Sequence, residues 1–262
     1  MTDPIPAGRI LVVRTPSGLS GDMLLTGLAR ISATSQDALD RLVADLKLAD
    51  LIGAARMVPK SVADIAGWGL EVTLPSHDRH GHGQGHGHAH RHLTDVARII
   101  EASAMTARAK ELALAAFTLL ARAEGAVHGI DPGQVHFHEV GALDSILDVC
   151  VCCALFDRIS PARFVCSPLP VCDGAVRCAH GLLPAPAPAT LALLTGVPVY
   201  GIASEGETVT PTAASLLKAL GAEFGPWPAM ILERQERVYG GRVLPGVPNG
   251  ALFALGVGHG PA

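Results

Sequence analysis

A chain of 262 residues, 49% hydrophobic and 17% charged with a net charge of -4, can bury a full core as one large domain or as a domain with an elaboration. Neither that charge nor an aromatic content of 4% suits a nucleic-acid surface, which needs clustered cations and exposed rings. No stretch approaches about 18 uninterrupted apolar residues, so no membrane span is expected.

The N-terminus lacks a basic region, a long apolar run and a small-residue cleavage site, and does not read as a signal peptide. The six cysteines, at 150, 152, 153, 166, 172 and 178, form no CxxC pair and read as reduced, buried small hydrophobes, which gives a cytoplasmic address.

In chain order, Ile10 to Val13 suits a buried strand and precedes the turn Ser17-Gly18-Leu19-Ser20-Gly21-Asp22. A helical pattern follows from Met23 to Ile31, and a second from Gln36 to Leu48 carries Leu39, Leu42, Val43 and Leu46 on one face. Strand-like stretches lie at Ala54 to Val58 and Leu70 to Leu74. His77 to His92 is low-complexity, with seven histidines and four glycines in sixteen residues. It cannot bury an apolar face and is expected to be a flexible insertion within a single domain spanning 1–262. Helices are expected near Thr94 to Ala102, Ala104 to Val127, Gly141 to Asp157, Pro188 to Leu194 and Pro211 to Leu220. The fold class is therefore α/β or α+β, a mixed sheet with packed helices and a disordered His-rich loop.

Five segments carry chemistry. Imidazoles at His77, His80, His82, His86, His88, His90 and His92, on a glycine-rich chain, can gather around nickel, zinc, copper or cobalt without prior folding. That segment is either a metal sponge or a supply line to an active site. In the stretch 135–148, an extended backbone would put His136 and His138 on one side and Phe137 in the core. With Glu139 and Asp144 they make a mixed nitrogen–oxygen ligand set; Asp144 and Asp148 share a helical face. The same residues also read as a packed turn and helix start with solvated carboxylates.

The Ser17–Asp22 turn either approaches an anion through Gly18, Gly21 and its amides, or caps a helix through Ser20 or Asp22. Thr208, Thr210 and Thr212 either start a helix, with Thr210 as cap before Pro211, or hold a phosphate or carboxylate. The proline-rich stretch His180 to Pro188 either places His180 at a cleft edge or stiffens a connection.

Together, SGLSGDMLLTGL, VHFHEVGALDSILDV, RCAHGLLPAPAPATLALLTGVPVYG, GETVTPTAASLLKALGAEFGP and the later VYGGRVLPGVPN resemble, in that order, the N-terminal region of LarC-type nickel insertion proteins. The resemblance implies nickel insertion into pyridinium-3,5-bisthiocarboxylic acid mononucleotide, completing the cofactor of lactate racemase, with CTP and manganese or magnesium required. The mononucleotide's sulfurs would supply soft ligands to nickel, so no cysteine is needed. It implies metal-binding roles for His136, His138, Glu139 and Asp144, a catalytic part for Asp22, His138 and Glu139, and anion binding by Ser17, Gly18, Ser20, Gly21, Thr208, Thr210 and Thr212.

Two departures stand out. Arg14 occupies the place of a family aspartate, where it would bind a phosphate or pair with Asp22. The chain stops short of the family's C-terminal domain, associated with CTP and oligomerisation: either a separate partner chain supplies that half, with a homo-oligomer possible, or this is a divergent paralogue whose chemistry has changed. The alternative is a non-catalytic nickel-binding chaperone or storage protein.

Overall fold

The computed structural model describes residues 8–47, 54–73, 91–137, 143–178, 181–204, 206–244 and 246–258, with the side chains of Arg177 and Cys178 left out. The expected insertion lies mainly outside them: His77, His80, His82, His86, His88 and His90 are not described, nor are His138, Glu139 and His180.

The chain opens with β1 (Arg9–Arg14), α1 (Gly21–Ile31) and α2 (Gln36–Asp45), followed by a hairpin of β2 (Ala54–Val62) and β3 (Ile65–Thr73). Next come β4 (Arg91–His92), α3 (Leu93–Ala102), α4 (Ala107–His128), β5 (His136–Phe137) and α5 (Leu143–Ile159). Short elements follow: β6 (Arg163–Cys166), β7 (Leu169–Cys172), β8 (Ala175–Cys178), β9 (Gly181–Pro184), α6 (Pro188–Leu193) and β10 (Val199–Ile202). The last are α7 (Pro211–Ala219), β11 (Glu223–Phe224), β12 (Met230–Val238) and β13 (Ala251–Gly258).

Seven strands form one mixed sheet in the order β11-β6-β1-β13-β12-β3-β2, so the expected mixed sheet with packed helices is what the chain builds. The first strand sits inside it, parallel to β6 and antiparallel to β13. Its residues alternate between faces as a strand must: Leu11 and Val13 join the main core, while Ile10 and Val12 pack with Val165 and Ala254 on the other face.

On the main face α1 lies between the sheet and α5, and α4 packs against α5, α6 and α7 behind them. Small buried residues along α4, among them Ala109, Ala113, Ala116 and Ala121, let these helices approach closely. The helix α5 is buried nearly all round, through Ile146, Leu147, Val149, Val151, Leu155 and Phe156, as a helix enclosed by other elements must be. Among the described residues no helix is long and apolar enough to cross a membrane.

Candidate functional site

The site forms where β1 ends, the edge at which open α/β sheets commonly bind ligands. After Arg14 the chain turns through Gly18, whose amide donates to Thr15 O at 3.3 Å. Leu19 then forms a parallel bridge with Val209: Leu19 N donates to Thr208 O at 2.9 Å, and Thr210 N donates to Leu19 O at 3.1 Å. Two motifs far apart in sequence are thereby stitched into one wall. Gly18 is needed there twice over, because its φ is +117° and a Cβ would stand 1.8 Å from Thr208 O.

A cleft of about 340 Å³ opens against this wall, a size suited to a small-molecule ligand. Ser17, Gly18, Ser20, Asp22 and Met23 from the turn and Glu207, Thr208 and Thr210 from the stretch leading into α7 line it. Thr210 is the N-cap of α7, its hydroxyl accepting from Ala213 N at 3.2 Å, and Pro211 is the first helical residue, as the sequence predicts. The Thr208 hydroxyl donates to Pro170 O at 2.7 Å, tying the wall to β7. Ser20 does not cap α1; its hydroxyl donates to the Asp22 carboxylate instead. Gly21 and Thr212 stand behind the wall, where a Cβ on Gly21 would meet the Thr212 methyl at 2.9 Å.

Asp22 links the cleft to a group of acids on α5. The missing side chain of Gly21 lets Asp148 pack against the start of α1, with its Oδ2 only 2.4 Å from where a Gly21 Cβ would be. Asp144, one turn earlier, is exposed and accepts from Ser145 N at 2.8 Å. Burial first, then the negative charges of Asp22 and Asp144, hold the Asp148 carboxyl well above its ordinary value. The neighbouring cysteines are of another kind: burial pushes the thiols of Cys150 and Cys166 up to about 12, and those of Cys152 and Cys153 well upward too. They are neutral thiols, and this part of the chain offers a cation oxygen rather than thiolate.

Arg91 and His92, expected at the end of the loop, instead form β4. They pair with Phe137 and His136 respectively, and that pairing is held by burial of Phe137 against Phe117 at 6.1 Å between ring centroids. The pairing sets the His92 and His136 rings 3.9 Å apart, uniting one member of the His-rich segment with one of the ligand set. Among the described residues no three His, Cys, Asp or Glu side chains converge into a metal site. Arg14 is not paired with Asp22: it donates to Gly225 O at 2.8 Å and lies over Trp227 at 5.9 Å.

Sequence reading of individual residues missed the remaining lining, Gly240 to Arg242 with Leu244, Asn249 and Gly250. Asn249 folds the segment on itself, accepting from Leu244 N at 2.8 Å and donating to Leu244 O at 2.7 Å and Val247 O at 3.1 Å. Arg242 brings a guanidinium to the cleft, its terminal nitrogens within 2.7 Å of where a Gly206 Cβ would be. The available signal was the dense Gly, Pro and Asn of VYGGRVLPGVPN, the composition of a built turn.

The model of a protein family described as "Nickel insertion protein" matches residues 11–257. The chain belongs to the nickel insertion protein family. A relative from Desulfitobacterium hafniense (strain DSM 10664 / DCB-2), named pyridinium-3,5-bisthiocarboxylic acid mononucleotide nickel insertion protein, is 42% identical over 83% of this chain and 51% of its own length. A putative nickel insertion protein from Desulfotalea psychrophila is 41% identical over 85% of the chain and 54% of its own length. Another, from Geotalea uraniireducens, is 37% identical over 95% of the chain and 61% of its own length. The chain thus spans about half the length of the curated relatives it matches. No solved structure matches it. The family match takes in the Ser17–Asp22 turn, the Thr208–Thr210 wall and the Gly240–Gly250 segment together, so every wall of the cleft falls within the nickel insertion family's span.

Proposed function

We propose that the chain takes part in nickel insertion into pyridinium-3,5-bisthiocarboxylic acid mononucleotide, the activity named for its Desulfitobacterium relative. The observation that carries this reading is a single cleft lined by groups of both charges. Its lining includes the Arg242 guanidinium and the backbone of the Gly18 turn, groups that suit a nucleotide phosphate, together with the carboxylates of Asp22 and Glu207. Asp22, coupled to Asp148 and Asp144, attracts a cation. A ligand that carries a phosphate and receives a metal fits this mixture. Ser17, Ser20, Thr208 and Thr210 add polar groups to the lining.

Nickel is the cargo. The soft donors come from the substrate's thiocarboxylates, since burial keeps the thiols of Cys150, Cys152, Cys153 and Cys166 protonated. Manganese or magnesium, a hard cation, suits carboxylate oxygen, and the mutual repulsion of Asp22, Asp144 and Asp148 attracts one to this flank of the cleft, without the three side chains converging on a single point. His138 and Glu139 complete the proposed ligand and catalytic set. The CTP requirement belongs in this proposal to the C-terminal half of the longer relatives, acting with this chain in one assembly. The product would serve lactate racemase, and the free, buried cysteines suit a cytoplasmic address.

The test is nickel insertion by the purified chain with CTP, manganese and the mononucleotide, read by mass spectrometry, with and without the C-terminal half of a relative. Nickel-loaded product is expected, and Asp22→Asn should abolish it. Nickel bound with no product under either condition would replace this reading with a non-catalytic nickel carrier.

A further inference from the structure

We propose that His92 and His136 form a docking site for one divalent nickel ion at the root of the His-rich segment, distinct from the cleft. Three observations carry it. The two residues are direct cross-strand partners in β4 and β5, so their side chains leave the ribbon on the same face. Their rings lie 3.9 Å apart, tilted by 49°, close enough for one nitrogen of each to reach a single ion through short metal–nitrogen bonds of about 2.0–2.1 Å. His92 Nδ1 lies 3.2 Å from Val135 O. A carbonyl only accepts, so this contact is a hydrogen bond in the tautomer with the proton on Nδ1, the form in which Nε2 keeps the lone pair a metal needs.

The local fold holds this arrangement still. Val135 and Phe137 are buried on either side of the exposed His136, and the His92 amide donates to Asp95 Oδ2 at 3.1 Å in the first turn of α3. The ribbon is therefore anchored from both strands, with His136 exposed and His92 half-buried. Two protein nitrogens leave the other positions of the ion to water or to an incoming ligand. That is the property a transfer station requires and a storage site does not. Imidazole suits nickel among divalent metals, and six further histidines stand within sixteen residues before His92 in the chain. The proposal rests on the nickel reading above for the identity of the cargo, but not for the geometry of the pair.

The experiment uses the full chain with His77, His80, His82, His86, His88 and His90 all replaced by serine, which removes the competing imidazoles. Calorimetric titration with Ni²⁺ alone should still find a site of one ion per chain, and X-ray absorption should show imidazole scattering. His92→Asn or His136→Asn in that background should weaken Ni²⁺ by about tenfold or more, the scale on which metal affinity answers to a lost supporting group. Asparagine preserves a polar side chain at both positions, and circular dichroism checks that the ribbon's fold is retained. Nitrogen NMR of the metal-free chain should find His92 protonated at Nδ1. Absence of a Ni²⁺ site in the background chain, or full affinity in both single variants, would overturn the proposal. Binding of the metal-free mononucleotide, followed by thermal shift in the same variants, reports on the insertion reading alone. A shift without a Ni²⁺ effect would reject the pair and leave the cleft standing.

Discussion

Asp148 concentrates the site's electrostatic cost in one side chain. Its carboxyl is raised by burial and by the charges of Asp22 and Asp144, and Cys152, buried beside it, offers a neutral thiol and no positive charge. A carboxyl whose folded pKa exceeds its unfolded one binds its proton more tightly when folded. It therefore favours folding below the ordinary carboxylate value of 3.8, and that contribution is lost as pH rises through and beyond it. Asp148→Asn removes the titration while keeping the shape. The variant should be more stable than the parent at neutral pH, with the gap closing as pH falls towards 4, as urea unfolding at a series of pH values would show. If a cation is held there, the same variant should lose nickel insertion as it gains stability, the trade expected of a strained functional position. Parallel stability curves for parent and variant would mean that Asp148 carries no such strain.

Among the elements, the join between the α1 turn and the α7 start decides whether the cleft exists. Gly18→Ala would place a Cβ 1.8 Å from Thr208 O and force a residue with positive φ to carry it. Breaking the Leu19–Val209 bridge this way should cost at least about 2 kcal/mol, since strain and overpacking add. Denaturant unfolding would measure it, and a stability within error of the parent would show that the bridge yields easily.

Neither half of that join predicts the other from sequence. Each element taken alone was legible: Thr210-Pro211 starts α7, and the periodicity gave α1, α2 and α5 nearly to their ends. Local competition moved some boundaries. The helix α4 begins at Ala107 rather than Ala104 because Thr106 takes the cap, accepting from Ala109 N at 3.1 Å. The strands β2 and β3 run longer than expected because they meet in a tight hairpin at Ala63 and Asp64, whose φ values of 49° and 60° carry no glycine signal. Arg242 and Asn249 escaped individual notice because their importance is a matter of which distant turns they face. Arg14 and Asp22, close in sequence, part company because β1 sends one side chain towards Gly225 and the turn sends the other to the cleft.

For the whole molecule, the cleft is a property of the complete fold, since its walls come from residues 17–23, 207–210 and 240–250. Those segments meet only when β1, α7 and β13 are all in place, so a ligand bound among them must stabilise the folded chain as a unit. The consequence follows from mass action: a ligand that binds only the folded state adds about 2.7 kcal/mol of stability at a hundredfold excess over its Kd. For a domain of this size that is a rise of roughly 5–10 °C in Tm. The mononucleotide, supplied without nickel, CTP or any second chain, should therefore raise the Tm of this chain, and Arg242→Ala should reduce the rise. The chain spans about half of its relatives, so the same measurement divides the labour within the nickel insertion family. A shift with the chain alone assigns substrate recognition to the cleft and leaves the remaining half to supply other requirements of the reaction. A shift that appears only when the C-terminal half is added would place recognition between the two. A rise with nickel alone, and none with the mononucleotide under either condition, would remove the substrate from the cleft and leave a metal carrier in its place.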